Sequence, residues 1–181
     1  MPDDDLPRCP RLIARALRPL PPQPLGLALS ALSRRLSARH AGLLRRMGDY
    51  AEHAVLIDPT DVPFVLRLEP AAGPRLTAHR RGDAPAAAAR IAGPLSALTG
   101  MMHGRYDGDA LFFSRDLVIE GDTEVVLALR NALDDAELDL ATELAALAGP
   151  LGAAVRGAVA LAERATGLCL HRADLPQGEW T

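Results

Sequence analysis

Apolar and arginine positions alternate at helical spacing along the first 47 residues. Between residues 8 and 20, arginines recur every three or four positions and aliphatic residues fill the opposite side, which predicts a short amphipathic helix. The proline-rich stretch 19–24 breaks this helix, and a second helix is predicted from Leu25 to about Met47. Residues 1–47 are therefore expected to form a basic helical leader that prolines interrupt.

This leader has two interpretations. As a surface element it would lie on anionic lipid headgroups, with its apolar side buried in the membrane interface and its arginines beside the phosphates. The arginines expected to face such a surface are Arg8, Arg11, Arg15 and Arg18. As a bundle element it would pack on the protein and leave a solvated arginine face. The second interpretation fits residues 25–47 better, whereas both fit residues 8–20.

From residue 54 onward, short runs rich in valine, isoleucine, leucine and phenylalanine predict strands. The predicted strands are 54–57, 63–68, 75–79, 90–93 and 116–120. In the last of them, Leu117 and Ile119 share one face and Val118 points to the other. Residues 82–89 predict an alanine-rich linker or a short helix.

Proline, glycine and aspartate mark the helices around the last strand. Pro94 can open a helix at its first turn. Four residues share the apolar face of that helix: Leu95, Leu98, Met101 and Met102. Gly121 ends the strand and Asp122 is a good N-cap, so a helix is predicted over 123–133.

The C-terminal part is rich in alanine, leucine, glycine and valine. Two further helices are predicted over 136–147 and 151–166, divided by the Gly149-Pro150 pair and ended by Gly167. Their small side chains allow close backbone approach or leave room for an apolar guest.

Charge is distributed unevenly along the 181 residues. The formal net charge is −3, and all 20 basic side chains are arginines. Residues 1–47 carry a net charge of +6 and the remainder carries −9. A basic segment on an acidic body argues against a nucleic-acid-binding core and for a leader with its own partner. No apolar run is long enough to span a bilayer, and the acidic start lacks the basic region of a signal peptide, so a cytoplasmic location is expected.

We find no set of residues in the sequence to assign to catalysis, to a cofactor or to a metal ion. The hydrolase motif GxSxG, a phosphate loop and the dinucleotide motif GxGxxG are all missing. The histidines lie in different predicted elements, without the HxxxH or HExxH spacing of metal ligands. They are His40, His53, His79, His103 and His171.

Three polar groups have simpler structural interpretations. Segment 114–116 places Ser, Arg and Asp next to one another, but neighbours along a strand point to opposite faces. Glu120 and Asp122 flank a turn, where solvation and helix capping explain them. His103 could bind a ligand, but a histidine at a helix end that meets backbone carbonyls is the better interpretation.

Residues 98–100, Leu-Thr-Gly, and residues 111–122, LFFSRDLVIEGD, resemble the signature of sterol carrier protein domains. The longer run 111–135 is similar to one branch of that family, the bacterial accessory factors of anaerobic ubiquinone biosynthesis. The matching positions are Phe112, Phe113, Arg115, 119–124 and 131–134. One departure is Val126, where the branch commonly has glycine and where valine would narrow an apolar slot.

The resemblance implies an α+β fold, in which helices cover a mixed, mainly antiparallel five-stranded sheet and an apolar tunnel between the layers holds a lipid. Residues 48–181 are expected to form this domain with its C-terminal helices, after the helical leader. For the accessory branch, the resemblance also implies a non-catalytic role in oxygen-independent ubiquinone synthesis. The expected partners are a polyprenylated quinone precursor or another membrane lipid, the hydroxylases of the pathway, and the anionic inner face of the cytoplasmic membrane.

A long isoprenoid tail needs little polar recognition, because each buried methylene contributes about 0.8 kcal/mol. The residues expected to line the tunnel are Leu95, Leu98, Met101, Met102, Phe112, Phe113, Leu117, Ile119, Val126 and Leu129. Ordinary core packing is the alternative for each of them. Two other functions stay open: a general lipid carrier, or an assembly module without lipid whose C-terminal helices form a docking or homodimer surface.

Overall fold

A computed structural model describes residues 6–39, 42–71, 73–136 and 139–166. His40, Gly167 and His171, which the sequence singled out, lie outside these residues. The described chain forms helices on a five-stranded sheet, so the α+β class expected from the sequence is confirmed.

The strands are β1 (Val55–Pro59), β2 (Phe64–Glu69), β3 (Arg75–Arg80), β4 (Ala89–Gly93) and β5 (Val118–Gly121). Their order across the sheet is β3-β2-β1-β4-β5. The pair β1 and β4 is parallel and the other three pairs are antiparallel, which confirms the mixed, mainly antiparallel sheet. β5 lies at one edge of the sheet, beside β4.

The helices are α1 (Arg11–Leu17), α2 (Pro22–Arg39), α3 (Gly42–Met47), α4 (Leu95–Met102), α5 (Gly108–Phe113), α6 (Thr123–Ala136), α7 (Leu140–Leu147) and α8 (Gly152–Thr166). Pro22 and Pro24 occupy the first turn of α2, where a missing N–H costs no intrahelical hydrogen bond. The Asp122 carboxylate accepts the Glu124 and Val125 amides at the start of α6, as the capping pattern predicts.

The core lies on one face of the sheet, under α4, α5 and α6. Its buried members are Met47, Val55, Ala89, Ile91, Ala97, Leu98, Leu111, Leu117, Val125, Val126, Leu129 and Ala132. The α6 residues of this set recur at helical spacing, so burying that stripe holds the helix on the sheet.

The opposite face of the sheet carries a buried ion cluster. Asp58 on β1 is 1% exposed and accepts hydrogen bonds from Arg81, at 2.9 Å, and from Arg90 on β4, at 2.5 Å. Burial acts to raise the pKa of Asp58, but the hydrogen bonds from the two guanidinium groups outweigh it and hold that pKa below its ordinary value. This cluster links β1 to its parallel neighbour β4 and to the chain that follows β3.

The leader packs on the sheet at two places. At the first, α2 crosses β3 so closely that a Cβ on Gly26 would lie 2.9 Å from the Ala78 backbone nitrogen. The Ser30 hydroxyl donates to the Leu76 carbonyl at 2.6 Å, and the Ser33 hydroxyl to the Pro74 carbonyl at 2.7 Å. Glycine and serine on one helix face thus bring the two backbones together.

At the second place, the chain before α1 is pinned to the domain. The Cys9 amide donates to the Asp61 carboxylate at 2.7 Å, and the Ser96 hydroxyl donates to the Pro7 carbonyl. Leu6 packs against the core. In contrast, α1 itself has no buried residue, and Leu12 is 80% exposed.

Several predicted boundaries are wrong. The helix predicted from Leu25 to Met47 begins at Pro22, with residues 40 and 41 outside the described chain, and the strand predicted over 116–120 begins only at Val118. Segment 114–116 is not strand but the turn after α5, a helix that the sequence did not predict. The helix predicted over 136–147 begins at Leu140, because α6 continues to Ala136.

Candidate functional site

An apolar groove of about 320 Å³ lies between the sheet edge and α6. Its floor is a cross-strand pair, Ile91 on β4 and Ile119 on β5, which share one face because the two strands are in antiparallel register. Leu117, just before β5, extends the floor. The expected apolar space between sheet and helices is thus present as a groove that opens to the surface.

Three helices supply the walls of the groove. Val126 and Leu129 of α6 reach it from the buried stripe, Met101 from the last turn of α4, and Phe112 from α5. Phe112 is 50% exposed, and its ring meets the 83% exposed ring of Phe113 edge-on at 6.0 Å between centroids. Two aromatic rings therefore stand in solvent beside an apolar groove.

A charged clamp holds one rim of the groove. Arg130 of α6 pairs with Asp109 at 2.9 Å, with Asp107 at 3.6 Å and with Asp134 at 3.7 Å. A Cβ on Gly108 would lie 2.9 Å from the Arg130 guanidinium carbon, so the guanidinium group packs directly on the Gly108 backbone. The clamp positions α5, and with it Phe112.

Six of the ten residues predicted to line the apolar space do line the groove: Met101, Phe112, Leu117, Ile119, Val126 and Leu129. Leu98 is instead buried in the core, at 7% exposure. Leu95 and Met102 of α4 and the exposed Phe113 also lie outside the lining. Periodicity identified the apolar face of α4, but it did not say which part of that face meets the core.

Three apolar lining residues were absent from the predicted set. They are Ile91, Leu127 and Leu133. Ile91 lay in a predicted strand, and Leu133 follows Leu129 at helical spacing in the helix predicted over 123–133, so their signals were present in the sequence. Leu127 is 55% exposed and lies outside the buried stripe of α6. It lines the site because the groove is open on that side.

A second cavity, of about 480 Å³, lies where the leader meets the domain. Arg8 and Arg11 line it from the leader, and Arg115 lines it from the turn after α5. Ala92 and Val118, the neighbours of Ile91 and Ile119, also line it. Because successive strand residues point to opposite faces, this arginine cleft and the apolar groove lie on opposite faces of β4 and β5.

Arg115 ends α5 in a left-handed conformation, with φ of 64°. The Arg115 amide bonds to the Phe112 carbonyl, and the Asp116 amide reaches back to the Leu111 carbonyl. This pair of bonds is the Schellman termination, in which the left-handed position is usually glycine. Among the described residues Arg115 is the one non-glycine with positive φ. An arginine therefore occupies a position where the backbone favours glycine.

The two carboxylates of the arginine cleft already have hydrogen-bond donors. Asp61 accepts the Cys9 amide on one oxygen and the Leu95 amide, at 2.9 Å, on the other. Asp116 accepts the Ser114 hydroxyl. Burial, followed by the nearby Asp61 charge, raises the pKa of the Cys9 thiol, so this thiol is disfavoured as a nucleophile.

The remaining polar candidates are tied into the fold. The His103 Nδ1 lies 2.9 Å from the Thr99 carbonyl, and its Nε2 accepts the Leu140 amide at 3.2 Å, which joins the end of α4 to the start of α7. The predicted histidine at a helix end that meets a carbonyl is thereby confirmed. The Tyr50 hydroxyl donates to Glu124, and this hydrogen bond raises the pKa of Tyr50.

Among the described helices, none is long and apolar enough to cross a membrane. The described residues also contain no group of three or more His, Cys, Asp or Glu side chains able to hold a metal ion.

The fold and the groove together define a small α+β domain of the lipid-carrier type. The model of the SCP-2 sterol transfer family matches residues 32–134, and the chain belongs to that family. The match takes in the whole sheet and α3 to α6, but it leaves out Arg8 and Arg11.

Among solved structures, a UbiJ-SCP2 ubiquinone synthesis protein shares the fold, with 19% identity and a TM-score of 0.53, covering 65% of this chain and 96% of that one. Sterol carrier protein 2 of Yarrowia lipolytica in its apo form has 11% identity and a TM-score of 0.46, covering 60% and 89%. A possible sterol carrier protein of Thermus thermophilus has 16% identity and a TM-score of 0.42, covering 60% and 82%. No curated protein matches the chain.

Proposed function

We propose that the protein is a non-catalytic, lipid-binding accessory factor of oxygen-independent ubiquinone biosynthesis. It holds part of a polyprenylated quinone precursor in the apolar groove and presents the quinone head to a hydroxylase of the pathway. The signature run 111–135, which is similar to the anaerobic accessory branch, supports this assignment, as does the likeness of the fold to a ubiquinone synthesis protein.

The observation that carries the proposal is the make-up of the groove. Seven of the nine apolar groove residues belong to the signature run: Phe112, Leu117, Ile119, Val126, Leu127, Leu129 and Leu133. An aliphatic lining favours a hydrocarbon chain, because each buried methylene contributes about 0.8 kcal/mol. The groove is at the lower end of the roughly 300 to 1,000 Å³ of ligand pockets. It therefore accommodates a segment of a polyprenyl chain, and its open side lets the remainder and the head extend outward.

Extraction of the purified full chain tests this proposal. Organic solvent extraction followed by mass spectrometry should recover a polyprenylated quinone precursor in protein from a quinone-producing host grown without oxygen. Recovery of other lipids alone would make the protein a general lipid carrier. Recovery of no lipid would favour the assembly-module alternative.

One strand supplies a matched pair of variants for this experiment. Ile119→Trp places an indole into the groove from β5, whereas Val118→Trp places the same ring on the opposite face of the same strand. The first variant should lose most of the bound lipid, and the second should retain it. Equal retention in both variants, with both folded by circular dichroism, would contradict the groove as the lipid site.

We also propose that the loaded protein is peripheral to the cytoplasmic face of the membrane. α1 is amphipathic, presents an 80% exposed Leu12, and carries Arg11 and Arg15 in its short length. Arg18 follows α1 directly. An exposed apolar side chain among arginines favours adsorption to anionic lipid, where each nearby arginine contributes about 1 kcal/mol.

Vesicle binding tests this membrane contact. Deleting the leader would also remove α2 and the hydrogen bonds that Cys9 and Pro7 form with the domain. A point substitution therefore tests α1 more specifically. Leu12→Glu should reduce cosedimentation with phosphatidylglycerol vesicles by about tenfold, because it removes apolar burial and adds a repelled charge. Ala31→Glu, an exposed position on α2, controls for the charge alone. An equal reduction by both variants would contradict a specific role of α1.

A further inference from the structure

The arginine cleft is lined by three arginines whose side chains do not take part in the ion pairs or hydrogen bonds described above. Arg8, Arg11 and Arg115 are exposed and line one cavity of about 480 Å³. Within the described part of the chain, none of these three side chains forms an ion pair or a hydrogen bond. In contrast, Arg81, Arg90 and Arg130 each pair with a carboxylate.

The two acidic side chains of the cleft form hydrogen bonds with neutral groups and not with these arginines. Both oxygens of Asp61 accept backbone amides, and Asp116 accepts the Ser114 hydroxyl. Three arginines against two carboxylates leave the cleft with an excess of cationic groups. The Asp61 contacts also hold the chain before α1 against the start of α4, so they place Arg8 and Arg11 beside the domain.

The backbone at Arg115 is an independent observation. A glycine would satisfy the left-handed position of the Schellman termination without steric conflict, whereas arginine strains it. Backbone strain of this kind is concentrated at functional sites, so the presence of arginine at this position favours a function for its side chain. Arg115 lines the cleft, and its side chain forms no hydrogen bond or ion pair within the described chain.

We propose that the arginine cleft binds a phosphate or phosphate ester group. Arginine presents planar, paired N–H donors that match phosphate oxygens, and it stays charged at any physiological pH. Three such groups around one cavity surround a compact polyanion better than they suit a single carboxylate. The phosphate comes either from a lipid headgroup or from a free anion, and both present the same oxygens.

This site is distinct from the apolar groove. The groove and the cleft lie on opposite faces of β5, and two of the three arginines lie outside the residues that the family model matches. The proposal therefore does not depend on what the groove holds. A groove variant such as Ile119→Trp should leave phosphate binding unchanged.

Calorimetric titration of the full chain with inorganic phosphate and with pyrophosphate tests the site. Arg115→Gly is the sharpest variant, because glycine suits the left-handed backbone and the fold is retained. It should weaken binding by at least about tenfold, the loss expected for one charged hydrogen-bonding group. Arg8→Ala and Arg11→Ala should weaken binding similarly. Arg34→Ala, which removes an exposed arginine of α2 away from the cleft, should have no effect.

Vesicles distinguish the two sources of phosphate. Binding to phosphatidylcholine vesicles with and without phosphatidic acid is measured for the same variants. Loss of vesicle binding in Arg115→Gly but not in Arg34→Ala, without binding of the soluble anions, assigns the cleft to a lipid headgroup. Binding of the soluble anions assigns it to any accessible phosphate. If neither probe binds, or if Arg34→Ala weakens binding as much as Arg115→Gly, the proposal is overturned.

Discussion

The apolar groove and the arginine cleft use alternate residues of the same two strands, β4 and β5, and differ in their polarity and charge. Ile91 and Ile119 face the groove, and their neighbours Ala92 and Val118 face the cleft. The groove is built within residues that the family model matches. The cleft exists only because the leader is pinned to the domain through Asp61 and Ser96.

The difference shows how one fold can hold two kinds of site. Groove residues such as Leu129 are also core residues, so the groove is inseparable from folding. Cleft residues such as Arg8 and Arg115 are exposed and unpaired within the described chain, so the cleft can change while the fold is retained. Variants that separate stability from binding should therefore act differently at the two sites.

The largest effect is expected within the groove itself. Leu129→Ala should destabilise the protein by about 2 to 5 kcal/mol, because a core leucine at 3% exposure leaves a cavity. Leu127→Ala, two residues earlier on the same helix, should cost under about 0.5 kcal/mol, since Leu127 is 55% exposed. Urea unfolding measures both. If the two variants were equally destabilised, the division of the groove into a core side and an open side would be wrong.

The next effect concerns the polar face of the sheet. The pKa of Asp58 is below its ordinary value in the folded protein, so its stabilisation is present above the unfolded-state pKa of about 3.9 and is lost as pH falls through the folded-state value. Asp58→Asn should cost about 2 to 3 kcal/mol near pH 7, because two guanidinium groups lose their shared carboxylate. The penalty should shrink in acid, as measured by urea unfolding at several pH values. A penalty that does not change with pH would contradict the ionic role of Asp58.

The β-strands and the face of β5 could be predicted from the sequence because alternation is a local property. The alternation of Leu117, Val118 and Ile119 predicted the two faces that the structure has. α5 could not be predicted in the same way, since a short apolar run such as residues 111–113 suits a strand as well as a helix. Its two ends are stabilised instead by the Asp107 cap on the Asp109 amide and by the Schellman termination at Arg115.

Which residues form the site depends on long-range contacts that the sequence pattern does not contain. Leu98 and Met101 share the apolar face of α4, yet Leu98 enters the core and Met101 lines the groove. The arginine cleft joins residues more than 100 positions apart, and the left-handed turn that positions Arg115 lacks its usual glycine signal. The leader arginines were predicted as a group, but their meeting with Arg115 required the tertiary structure.

A smaller effect of opposite sign is expected at the cleft. Arg115→Gly should stabilise the protein by about 1 kcal/mol, because glycine removes the steric cost of the left-handed conformation. For a chain of this size, that gain raises Tm by about 2 to 4 °C. Ser114→Gly is the matched control, since Ser114 has ordinary helical φ and ψ and should lose stability. If Arg115→Gly lowered Tm, the Arg115 side chain would stabilise the fold. The cleft would then contribute to stability as the groove does, and the two sites would not differ in this respect.

The smallest effect separates the two sites by ionic strength. Raising salt from about 0.1 M to about 1 M shortens the Debye length from about 10 Å to about 3 Å, so phosphate binding to the exposed arginines of the cleft should weaken several-fold. Retention of lipid in the groove should be unchanged or slightly stronger, because apolar burial does not depend on screening. Calorimetry for phosphate and solvent extraction for lipid, on the same protein preparation, provide the two readouts. Parallel salt dependence at both sites would mean that charge also governs the groove, with the Arg130 clamp as the group to substitute next.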